Sequence, residues 1–208
     1  MLLLISLFTS CTYGFQPYVE ASLLNKIIQK YQAFTEKRFF YLQSVLDSVE
    51  DKSTLEKLEE VNNFYNDVKY ASDIEVYGVN DYWATPWEFL GKDKGDCEDY
   101  VISKYFALIY LKIDPKKLFF TYVSSSRFNG AHMVLTYFET PSSEPLVLDS
   151  NNHKIFPASQ RTDLTPIYNF SGDSLYKASK NGVGLKIENQ KVHKKWDNLK
   201  FNMQRKMI

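Results

Sequence analysis

The sequence predicts an α+β fold, a helical N-terminal part packed on an antiparallel sheet. Two observations predict it. Apolar residues recur at helical spacing from about Ala21 to Lys69 and again behind Cys97, and past Pro115 the period shortens to that of strands. The 44% hydrophobic content of the 208 residues, with 15 Tyr and 15 Phe, suits one well-packed domain over 15–208. Lys+Arg and Asp+Glu both number 25, so no basic excess exists to neutralise phosphates, and nucleic acid is not an expected partner.

The apolar run Met1-Leu-Leu-Leu-Ile-Ser-Leu-Phe8, with small and polar residues after it, reads as a secretory signal over 1–14, cut near Tyr13-Gly14. It lacks a basic start and is too short to span a bilayer; a buried N-terminal strand is the competing reading. Cys11 suggests a lipoprotein cysteine, but Phe8 stands where such signals want Leu. Cleavage after Gly14 leaves Cys97 as the one thiol, unable to form an internal disulfide and so more open to a reactive role.

The helical part, about 21–70, carries three stripes: Leu23, Leu24, Ile27, Ile28 and Tyr31; Phe39, Phe40, Leu42, Val45 and Leu46; Leu55, Leu58, Val61, Tyr65 and Val68. Asp81 to Leu90 is aromatic-rich and broken by Pro86, which predicts a loop and a short helix beside the cysteine helix. Trp83 and Trp87 are either walls of a cleft or core, and the area that a tryptophan buries favours core.

In Gly95-Asp-Cys-Glu-Asp-Tyr100, Asp96 is a good N-cap and Asp99 stands three residues on, as in a capping box. Val101, Ile102, Tyr105, Phe106, Leu108 and Ile109 then predict an amphipathic helix to about Lys112, ended before Asp114-Pro115. Cys97 falls in its first turn, where free N–H groups and the macrodipole lower a thiol's pKa; the plainer alternative is a small buried cysteine. Asp93, Asp96, Glu98 and Asp99 oppose activation, because like charges raise that pKa. A hard cation such as calcium would resolve the conflict, although the spacing is not that of an EF-hand, and the alternative is a solvated acidic helix start. One cysteine and scattered histidines do not make a zinc site.

Strands are predicted over 118–125, 131–137 and 145–150, with shorter ones near 167–170 and 185–187. A nucleophilic cysteine needs a histidine and a group to hold that histidine. His132 lies early in a strand, His153 follows Asp149-Ser-Asn-Asn152, and His193 lies in a lysine-rich tail and reads as a surface residue. Antiparallel pairing about Thr140-Pro141 would set His132 directly opposite Asp149 on one face, with Asn151 and Asn152 as other orienters.

Tyr82-Trp-Ala-Thr-Pro-Trp-Glu-Phe-Leu90, Gly95-Asp-Cys-Glu-Asp-Tyr100, Lys104-Tyr-Phe-Ala-Leu108, Ala131-His-Met-Val-Leu135, Glu144-Pro-Leu-Val-Leu-Asp149 and Pro157-Ala-Ser resemble motifs of the bacterial transglutaminase-like cysteine peptidases of the LapG type, over roughly Asp81 to Tyr176. The resemblance implies a papain-like, transglutaminase-type fold with a catalytic core at about 81–176. It also implies Cys97 as nucleophile, His132 as general base and acid, Asp149 as its orienter, and calcium held by Asp96 and Glu98 with Asp99 as a further ligand. By the same resemblance the protein is a calcium-dependent periplasmic protease that clips the N-terminal region of a large surface adhesin to control biofilm attachment. An inner-membrane cyclic-di-GMP receptor would sequester it. The same residues also suit transglutaminase-type acyl transfer, and a non-catalytic calcium-responsive binding module is the alternative of another class.

Overall fold

Local signals punctuate the chain where capping chemistry requires it. In a computed structural model, which describes residues 16–32, 34–172, 174–179, 182–188 and 194–207, three helices come first: α1 Ala21–Tyr31, α2 Thr35–Val49 and α3 Thr54–Asn66. The signal segment 1–14, Cys11 and His193 lie outside the described residues. Ser53 and Glu56 cap α3 reciprocally, so two of its otherwise unbonded N–H groups find acceptors. After β1 (Lys69–Tyr70) and α4 (Asp73–Tyr77), Thr85 and Glu88 form the same box on α5 (Pro86–Lys92), where Pro86 enters without losing a hydrogen bond. β2 (Lys94–Gly95) leads into α6 (Cys97–Tyr110).

The rest is mostly sheet: β3 Leu118–Ser125, β4 Gly130–Tyr137, β5 Leu146–Asp149, β6 Asn152–Pro157, β7 Leu164–Ser171, β8 Ser174–Lys177 and β9 Leu185–Ile187, followed by α7 Lys194–Gln204. The strands form one antiparallel sheet in the order β6-β5-β4-β3-β7-β8-β9. The expected α+β, helix-on-sheet architecture is what the chain adopts.

Alternation sorts β4 into two faces. Met133, Leu135 and Tyr137 join the main core with α3, α5 and α6, whereas Val134 packs with Val123 and Val147 on the other side. Fully buried Tyr65, Phe89, Phe120 and Phe170 anchor the main core, each contributing about 1.5–3 kcal/mol. Trp83 and Trp87 belong to that core: Trp83 stacks on Phe170 and Trp87 meets Tyr18 edge-on, so neither lies free to wall a cleft.

Two expectations need correction. α6 has no broad solvated face, because α3, α5 and β4 enclose it and even Ser103 and Lys104 are fully buried. Pairing of β4 with β5 runs Leu135↔Leu148, Thr136↔Val147, Tyr137↔Leu146; extended by one pair it sets Val134, not His132, opposite Asp149. His132 therefore stands two residues away. That slip is even, so it keeps both side chains on one face, where an odd slip would have separated them.

Candidate active site and cation site

Cys97 opens α6 half-buried, and the backbone amide of Met133, the residue after His132, lies near its sulfur and favours the thiolate. The packing of α6 on β4 thus brings the thiol beside the histidine's strand. The thiol itself donates to Glu98 Oε2 at 3.1 Å. Burial pushes its pKa well up, and the Glu98 and Asp96 carboxylates push it further against the Met133 amide. Gly95 is required just before this turn, because a side chain there would strike the Asp99 carboxylate and the Phe89 ring.

The acids around Cys97 have separate tasks. Asp96 occupies the N-cap position with extended backbone, but its side chain caps nothing. Together with Glu98 and Asp73 it forms a group in which one carboxylate oxygen from each residue lies within 4.8 Å of the other two. Asp73 arrives through a two-residue parallel bridge: Lys69 and Tyr70 pair with Lys94 and Gly95, and the Ala71 N–H donates to the Gly95 carbonyl. Those contacts run the start of α4 alongside the start of α6. Asp73 then accepts the Tyr82 N–H through Oδ2. Burial pushes Asp96 up to about 8, with Glu98 and Asp73 adding to it, and burial pushes Asp73 up to about 6, with Glu98 and Asp81 adding.

Asp73 Oδ1 and Asp96 Oδ1 are buried without a hydrogen-bond partner, which leaves two acceptors with no donor. Hard oxygen donors from three carboxylates, two with unpaired atoms, fit a calcium-like cation. Asp99, named with Asp96 and Glu98 by the resemblance, stands outside this group of three. It is fully buried, and its Oδ1 accepts the Ala84 N–H at 2.9 Å, tying the aromatic loop to α6.

A second site forms across the sheet. His132 Nε2 and Asp149 Oδ1 are 2.8 Å apart and both side chains are buried. The Asn151 N–H donates to the same oxygen at 3.0 Å, and Arg161 Nη2 donates to Asp149 Oδ2 at 2.6 Å while its guanidinium grips Asp163 bidentately. Burial acts to raise the Asp149 pKa, but His132, the Asn151 amide and Arg161 outweigh it and hold this carboxyl well below the usual range. Asn151 thus backs Asp149, the Asn152 carbonyl accepts from α3, and His153 is exposed. With Nε2 committed to Asp149, Nδ1 is the ring nitrogen left to exchange a proton with a thiol.

Sequence reasoning missed Asp73 and Arg161. Nothing marks Asp73, which lies 23 positions before Asp96 and reaches it only through the parallel bridge. Arg161 stands in a loop with no periodic signal around it.

Comparison with known proteins gives these residues a context. The family model for bacterial transglutaminase-like cysteine proteinases matches residues 40–171. The solved structure of calcium-bound Legionella pneumophila LapG is 39% identical, with a TM-score of 0.75 over 89% of this chain and 99% of that one. LapG from the same organism and its EGTA-treated form are also 39% identical, cover 92% of this chain with 99% and 100% of theirs, and give TM-scores of 0.74 and 0.75. No curated protein matches. With 132 residues matched by the family model and 89% of the chain aligned with LapG at 39% identity, the chain belongs to the bacterial transglutaminase-like cysteine proteinases.

Proposed function

We propose that the chain is a calcium-dependent cysteine endopeptidase with Cys97 as nucleophile, His132 as general base and acid, and Asp149 as the orienter of His132. The observation that carries this reading is the pairing of His132 with Asp149 at 2.8 Å on the strand whose Met133 amide lies near the Cys97 sulfur. Asp73, Asp96 and Glu98 are the residues that would hold calcium; calcium-bound and EGTA-treated forms of LapG support that ion. Bound there, the cation supplies positive charge that offsets the carboxylates and lowers the thiol's pKa.

His132 Nδ1 takes the Cys97 proton, and the thiolate attacks the carbonyl carbon of the scissile peptide. Negative charge moves to the carbonyl oxygen, where the Cys97 N–H at the start of α6 is a ready donor. His132 returns its proton to the leaving amine and a thioester remains. Water then gives a proton to His132 and attacks the thioester carbonyl, the carboxylic acid departs, and the sulfur recovers its proton. Asp149 keeps Nε2 engaged throughout and stabilises the imidazolium.

The family resemblance supports further particulars: export to the periplasm, cleavage in the N-terminal region of a large surface adhesin, and sequestration by an inner-membrane cyclic-di-GMP receptor. No helix among the described residues is long and apolar enough to cross a membrane. The test is cleavage of N-terminal adhesin fragments by the purified protein with calcium or with chelator, set against Cys97→Ala. Calcium-dependent cleavage absent in the variant is expected; cleavage that persists in Cys97→Ala overturns the reading, and amine adducts in place of hydrolysis would turn it to acyl transfer.

A further inference from the structure

Lys104 lies at the middle of α6, fully buried among apolar residues. Taking an amine out of water is costly, and a methionine would pack there without that penalty, so its contacts matter. Its Nζ donates to Asn62 Oδ1 at 2.8 Å and to Asn66 Oδ1 at 2.6 Å, both on α3. The two amide nitrogens donate onward. Asn62 Nδ2 reaches the carbonyls of Asn152 and His153, each at 3.0 Å, and Asn66 Nδ2 reaches those of Asp149 at 2.8 Å and Asn152 at 2.9 Å. Four hydrogen bonds therefore hold the tight β5–β6 turn, which begins at Asp149, against α3.

The direction of this relay follows from donor and acceptor chemistry. Backbone carbonyls only accept, so both Asn NH₂ groups must face the turn, and their oxygens must find donors on the opposite side. A lysine amine meets that need: protonated it has three donors and no acceptor, and neutral it still has the two donors used here. Burial pushes its pKa down to about 7, with the Asp149 carboxylate pulling it back up. The Tyr100 ring lies 5.8 Å away on its own helix. Either protonation state thus keeps the relay pointing the same way.

We propose that Lys104, acting through Asn62 and Asn66, is a positioning residue for the proteolytic site: it fixes the Asp149 turn so that the carboxylate meets His132 Nε2. This rests on the reading of Asp149 as the orienter of His132. A displacement of the turn by even 1 Å would carry Oδ1 out of hydrogen-bond range, and misplacement of that size costs about 100-fold in rate.

The discriminating variant is Asn66→Asp in the full, calcium-loaded chain. It is isosteric and still accepts from Lys104, but it offers no donor to the Asp149 and Asn152 carbonyls. Lys104→Met tests the head of the relay, and Asn66→Asp carries the test if Lys104→Met does not fold. Two readouts are taken: kcat and KM on an N-terminal adhesin fragment, and the low-field proton resonance of the His132 Nε2–H bound to Asp149. The expected result for Asn66→Asp is a kcat lowered about tenfold to 100-fold with KM within about twofold, and loss or upfield movement of that resonance. A folded Asn66→Asp protein with wild-type kcat and an unmoved resonance overturns the proposal, as does a loss confined to KM. Asp149→Ala separates the two readings: wild-type activity there would overturn the role of Asp149, and the resonance in Asn66→Asp would still judge the clamp.

Discussion

Asp149 and Asp96 are both substantially buried aspartates close to the proposed nucleophilic machinery, yet their surroundings are opposites. Asp149 accepts from Arg161 and the Asn151 amide, pairs with His132, and is held well below the ordinary carboxylate range. Asp96 faces Glu98 and Asp73, keeps an unpaired oxygen, and is pushed up to about 8. The difference separates a site that the chain completes with its own donors from one that its own residues leave short of positive charge. A carboxylate of the first kind holds its partner at every working pH. In the proposed function, one of the second kind would make the neighbouring thiol answer to a cation.

The largest effect is expected where the completed site is broken. Asp149→Asn keeps the shape but replaces the charge that orients and stabilises the imidazolium, and kcat should fall about 10³- to 10⁴-fold with the fold intact, as read by steady-state proteolysis. Next comes Arg161→Met, which leaves Asp149 buried with one cationic partner removed. Unfolding stability should drop by about 3 kcal/mol, measured by denaturant titration, and a loss below about 1 kcal/mol would mean that His132 and Asn151 suffice. On the acidic side, Asp73→Asn should weaken calcium binding about tenfold in calorimetry, more than Asp99→Asn does, because Asp73 shares the group of three with Asp96 and Glu98 and Asp99 does not. Equal effects of the two would dissolve the group of three.

The smallest effect is a difference in pH slope. Asp149 has a folded pKa below its unfolded value of about 3.9, so its contribution is present above about pH 4 and is lost as pH falls through the folded value. Asp96 has the reverse sign. Its folded value of about 8 exceeds the unfolded one, so in chelator its contribution is complete below about pH 4 and is lost as pH rises towards 8. Thermal unfolding across pH 5–8 should show declining stability in chelator and a flatter profile in calcium. Identical profiles in both would mean that calcium does not bind this turn.

Most of the fold was legible because it rests on local chemistry. The break at Pro86, the apolar run behind Cys97 and the extended period of 118–125 each act within a few residues. The polar residues of α6 were harder to read. A lysine at position 104 looks like a solvated face until α3 is known to supply Asn62 and Asn66 as its acceptors. Asp96 misled in another way, since a good capping residue gives no sign that its side chain will turn away to meet Asp73.

By itself the sequence determined the α+β order, the cysteine at a helix start, the excess of acid around it, and a histidine and an aspartate on strands of matching parity. These follow from periodicity and from charges close together along the chain. Tertiary structure alone decided which acids share a site, which cation backs Asp149, and that β4 and β5 meet two residues from the expected register. The reason is physical: hydrogen bonds and ion pairs between residues 12 to 91 positions apart depend on how elements dock, and no local pattern encodes that docking.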